Sequence, residues 1–116
     1  LRVERAVGFG LALVLAGCTS YGELQSQPAK AVLHSAKSPA AFAGCALPKL
    51  RELWPTVETL PDGDATVYVS PIERSTTVGA TLRVAPAADG GTDIEFRDIS
   101  IRKRESREVA VLRGCL

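Results

Sequence analysis

Between residues 77 and 99 apolar and polar side chains alternate with a period of two. Val78, Ala80, Leu82 and Val84 share one side of the first run, and in the second Ile94 and Phe96 stand opposite Asp93, Glu95 and Arg97. Successive strand residues point to opposite faces, so the pattern predicts two strands with one apolar and one charged face. Ala88-Asp89-Gly90-Gly91 joins them with turn-forming residues. An earlier pair of runs, 56–60 and 65–70, flanks Pro61-Asp62-Gly63-Asp64, whose Asp-Gly step is a hairpin signal. Ala31-Val32-Leu33-His34-Ser35 is short and partly apolar, a candidate first strand.

Residues 38–54 follow a different period. Ser38 can cap a helix and Pro39 suits its first position, where a missing N–H costs nothing. Phe42, Cys45, Ala46, Leu50, Leu53 and Trp54 then recur at helical spacing and line one face. Pro48 removes the bond to the Gly44 carbonyl, which predicts a kink or a break into two pieces. From about residue 104 onward, Glu105, Glu108, Val109, Leu112, Cys115 and Leu116 also fall at helical spacing. The expectation is a closing helix, with a last strand as the alternative because Val109 and Val111 alternate. Together these elements predict a small α+β domain over residues 31–116. Its antiparallel sheet of three to four strands has a helix before it and a C-terminal helix on one face.

The amino-terminal segment obeys neither period. Arg2 and Arg5 precede an 11-residue apolar run, residues 6–16, that is shorter than the roughly 20 residues a bilayer-spanning helix needs. A positive stretch followed by a short apolar run reads as a targeting segment, to be set aside from the fold. The run ends at Leu15-Ala16-Gly17-Cys18.

This tetrapeptide resembles the lipobox of bacterial lipoproteins, in which the cysteine thiol is diacylated and the peptide before it is removed. The small residues at 16 and 17 let the backbone enter a peptidase site, and the Cys18 thiol is the nucleophile that carries the lipid. The resemblance implies a cleaved signal peptide over 1–17 and lipidation at Cys18. It also implies a location in a bacterial cell envelope, facing the periplasm. Thr19, in place of the Asp that retains many such proteins at the inner membrane, implies the outer membrane. Two or three acyl chains, at about 0.8 kcal/mol per buried methylene, anchor stably where one chain is marginal. Residues 18–30, rich in Ser, Gly, Gln and Pro without periodicity, read as a flexible tether. As a random coil it would span roughly 20 Å.

Export changes the reading of the cysteines. Of three in the chain, Cys45 and Cys115 remain once Cys18 carries lipid. An oxidising compartment favours a disulfide between them, with two separate buried thiols as the alternative.

Charge and composition narrow the function by exclusion. The 116 residues hold 14 Lys+Arg and 13 Asp+Glu. Removing Arg2, Arg5 and Glu4 with residues 1–17 leaves 12 of each, a balance that does not suit nucleic acid. No phosphate-cradling glycine loop, no Gly-x-Ser-x-Gly and no metal-ligand spacing is present, so no cofactor, metal or small-molecule substrate is expected. His34 is the sole histidine and lies near no candidate nucleophile motif, which argues against an enzyme. Asp62, Asp64, Asp89 and Asp93 sit in or beside glycine turns, where Asp bonds its local backbone. Arg97, Arg102, Lys103, Arg104 and Arg107 form a candidate basic face for a protein partner or an acidic envelope component. The interleaved Glu105 and Glu108 instead favour a solvated face of ion pairs. The expected function is a non-enzymatic, membrane-anchored binding or scaffolding lipoprotein, the alternative being a periplasmic inhibitor or immunity-type lipoprotein that caps a hydrolase.

Overall fold

The structure, a computed structural model, describes residues 20–72, 77–101 and 105–116. Its elements in chain order are α1 (Tyr21–Gln25), β1 (Ala31–Ser35), α2 (Pro39–Leu53), β2 (Glu58–Asp62), β3 (Ala65–Pro71), β4 (Val78–Pro86), β5 (Thr92–Asp98) and α3 (Arg107–Gly114). The strands form one sheet in the order β1-β5-β4-β3-β2, with every neighbouring pair antiparallel. The α+β class is as the periodicity predicts, but the sheet has five strands where three to four were expected. The two hairpins supply four, and β1 adds itself along β5, with Leu33 opposite Ile94.

Both hairpin turns follow from glycine. Asp62 pairs with Ala65, so β2 and β3 are joined by Gly63-Asp64 alone, and Gly63 takes φ +62°. Only glycine enters that left-handed region without strain. The β4–β5 turn closes with Ala87 N–H donating to the Gly91 carbonyl at 3.0 Å, with Gly90 at φ +85°.

One face of the sheet carries α2 and α3. Phe42, Ala46 and Leu50 from α2, Val109 and Leu112 from α3, and Leu33, Ala80, Leu82, Val84, Ile94 and Phe96 from the strands form the main core with Trp54 and Cys115. Burial of these side chains is the principal driving force for the fold. Helix α2 starts where Ser38 Oγ accepts from Ala41 N–H at 3.2 Å, with Pro39 in the first turn. It runs unbroken through Pro48, against the expected split. Pro48 and Gly44 are both exposed, so the carbonyl that loses its donor stands on the solvent side while the buried stripe of Phe42, Ala46 and Leu50 continues on the other. Ser106 caps α3 in the same way, its Oγ accepting from Val109 N–H at 3.2 Å. The C-terminal segment is therefore helix and not the alternative strand.

The opposite face is not bare. Residues 20–30 fall in the segment expected to be a tether, yet they include α1, which packs on β4 and β5. Ser20 and Glu23 form a reciprocal capping box, each side chain bonding the other's backbone N–H. Leu24 is fully buried, and Gln25 Nε2 donates to the buried Thr81 hydroxyl at 2.7 Å. Strand alternation places Ala65, Val67 and Val69 on this same face, also buried. A short apolar patch on the second face thus recruits the chain that precedes β1. The expected signal peptide and the lipidation site Cys18 lie outside the described residues.

Candidate functional site

A cleft of about 820 Å³ opens at the end of the sheet where β1 begins and β5 ends. Trp54, the C-cap of α2, and Val109 of α3 form its apolar floor, and Lys30, Asp98, Glu105 and Arg107 supply its charges. The walls come from elements distant in sequence, so no local motif announces it. Asp98 Oδ1 is buried without a hydrogen-bond donor, and the Lys30 ammonium stands 3.8 Å away. Lys30 Nζ donates instead to the Ser100 carbonyl. Burial pushes the Asp98 carboxyl above its ordinary pKa, against the pull of Lys30 and the Ser100 backbone N–H. Arg113 is bonded to Glu105 on the rim. Ile99 and Ile101 are exposed at the same end of the sheet, Ile101 to 95%. Mixed charge, an apolar floor and exposed isoleucines suit a protein surface better than a small polar metabolite.

The candidate basic face is dispersed. Arg97 lies on the α1 side, where it donates to the Gln27 carbonyl at 2.9 Å, to Glu95 Oε2 at 3.0 Å and to Gln25 Oε1 at 3.4 Å. Its side chain is only 12% exposed, so it fastens α1 rather than meeting a partner. Arg107 opens α3 on the other side of the sheet, at the cleft. Arg102, Lys103 and Arg104 lie outside the described residues.

Cys45 and Cys115 form the expected disulfide, Cα atoms 5.7 Å apart. It joins α2 to the end of α3 and so holds the helix that walls the cleft.

His34 stands at the far end of β1 from the cleft. Its Nδ1 lies 3.0 Å from Asp93 Oδ1 and its Nε2 2.9 Å from Asp89 Oδ2. Asp89 also caps its own turn, Oδ1 accepting from Gly91 N–H at 2.8 Å, as the turn reading of this residue predicts. The hydrogen bond to Asp93 raises the His34 pKa, and the Gly91 N–H lowers that of Asp89. The two carboxylates lie against opposite ring nitrogens, so they do not converge on one point. Among the described residues no three His, Cys, Asp or Glu side chains are grouped to hold a metal ion. Asp62 is paired with Arg83 at 3.0 Å.

Comparison with protein families, curated proteins and solved structures finds no match to this chain.

Proposed function

We propose that this chain is a lipid-anchored, non-enzymatic binding protein of a bacterial cell envelope, held to the membrane through Cys18 and offering the cleft beside α3 to a protein partner. The disposition of the cysteines carries the reading. Three are present, and two are spent on the disulfide that joins α2 to α3. The third stands in Leu15-Ala16-Gly17-Cys18, directly after an apolar run of signal-peptide length. A disulfide across the helices also accords with an oxidising compartment. The intact mass of the membrane-extracted protein tests the anchor: an amino terminus at an acylated Cys18 supports it, and an unmodified Cys18 ends it.

A dedicated partner, such as a hydrolase capped by an inhibitor or immunity-type lipoprotein, is the second reading, favoured by a cleft beside a disulfide-held helix and exposed isoleucines. Cross-linking capture from native envelope, with wild type and with the unlipidated Cys18→Ser variant, separates the two. One stoichiometric enzyme retained by the soluble variant supports a cap. Contacts that vanish with the lipid support a scaffold acting through location.

A further inference from the structure

Ser20, the N-cap of α1, is two residues beyond Cys18. Two extended peptide units reach about 7 Å at most. The polar headgroup layer of a bilayer is itself about 5 to 8 Å thick on each side. A lipid on Cys18 therefore holds the start of α1 within or directly against the headgroup layer, in contrast to the roughly 20 Å that residues 18–30 would span as a coil.

The docking of α1 then decides which way the domain faces. Leu24 is fully buried, Gln25 is bonded to Thr81 and Arg97 is bonded to Gln25 and Gln27, so α1 is fastened at several points to the sheet face opposite α2 and α3. Burial first, and then the Asp62 carboxylate, push the hydroxyl of Tyr21, at its first turn, above its ordinary pKa. Helix α1 thus lies over this face, against β4 and β5. Val32 adds a second observation. Ala31 and Leu33 point into the main core, so Val32 points to the α1 side, and it is 73% exposed there.

Resting on the lipid-anchor reading, we propose that the α1 face of the sheet lies against the membrane headgroups, with Val32 and the exposed side of α1 at the lipid surface. Helices α2 and α3 and the disulfide then face away from the bilayer, and the cleft opens sideways, parallel to it. The membrane surface is thereby an interaction partner of the folded domain itself.

Hydroxyl-radical footprinting of the lipidated protein in phosphatidylethanolamine and phosphatidylglycerol vesicles, set against soluble Cys18→Ser, reads this out. Oxidation of Val32 and Pro28 should fall several-fold on the vesicles, while that of Pro48 and Arg51 on the outer side of α2 stays unchanged. A flexible Gly-Ser insertion of a dozen residues between Thr19 and Ser20 should restore Val32 oxidation with the lipid still attached. Equal oxidation of Val32 with and without vesicles, in a protein whose mass shows an acylated Cys18, overturns the orientation alone. Protection of Pro48 and Arg51 in place of Val32 does the same. A membrane form whose Cys18 carries no lipid overturns the orientation and the anchor together.

Discussion

Cys45 in the middle of α2 is bonded to Cys115 just beyond α3, across 70 residues of sequence. The bond closes a loop that includes four of the five strands, β2 to β5. In the chain-entropy account, a loop of that length restricts the unfolded chain by about 4 kcal/mol. That is a large fraction of the roughly 5 to 15 kcal/mol by which small domains are stable. Replacing both cysteines with Ala should lower the free energy of urea unfolding by about 4 kcal/mol. Wild type treated with dithiothreitol should shift by a similar amount. A midpoint unmoved by reduction would mean that the bond constrains nothing the packing does not already fix.

Leu24 tests whether α1 belongs to the fold. It is fully buried although α1 has only five residues, too few to persist alone in water. Its packing must therefore hold the helix, and Leu24→Ala should cost about 2 to 3 kcal/mol. The Thr81 hydroxyl should lose Gln25 at the same time, seen as faster exchange of the amides around Thr81. A change under about 0.5 kcal/mol, typical of surface positions, would return residues 20–30 to the status of a tether.

Gly91 is required by contact and not by its backbone angle. A Cβ there would stand 2.2 Å from the Ser35 carbonyl oxygen, which belongs to the backbone of β1 and cannot swing aside. Gly91→Ala should destabilise by about 1 to 3 kcal/mol, the range for overpacked sites. The loss should appear first as faster amide exchange in β1, the strand that must retreat.

The strands and the two large helices were legible because a period of two and a period near 3.6 survive in any sheet or helix with one buried face. Ile94 and Phe96 announce β5 in this way, and Phe42, Ala46 and Leu50 announce α2. Pro48 does not split α2, because its effect depends on which side of the helix it occupies, and that is set by the tertiary fold. Helix α1 was missed since one apolar residue, Leu24, makes no periodicity. The Ser20-to-Glu23 spacing of a capping box was its one local signal. The basic residues illustrate the limit for sites: Arg97 and Arg107 are ten positions apart, yet the sheet lies between them. The cleft draws Lys30, Trp54, Asp98 and Arg107 from four distant places, and no one-dimensional pattern brings them together.

His34 gives a prediction about pH whose sign the geometry fixes. A neutral imidazole has one N–H, so only the doubly protonated ring can donate to both Asp93 and Asp89. Folding therefore raises the His34 pKa above its ordinary 6.5, through the Asp93 hydrogen bond first. Its stabilising contribution is complete below 6.5 and fades as pH rises through the higher folded value. Asp89 behaves oppositely: its pKa falls below 3.8, through the Gly91 N–H first, so its contribution is complete above 3.8 and is lost as pH falls through the lower folded value. The difference in stability between wild type and His34→Gln should be largest below about pH 6.5 and decline as pH rises through the higher folded value. On the acid side only the smaller share of the Asp89 shift that His34 supplies is lost, because the Gly91 N–H serves both proteins. His34 is the only histidine, so one imidazole resonance reports its titration without assignment. Asp93→Asn should lower that midpoint more than Asp89→Asn. A midpoint at or below 6.5 in wild type, or one that neither substitution moves, would show that the ring is not clasped between the two carboxylates in solution.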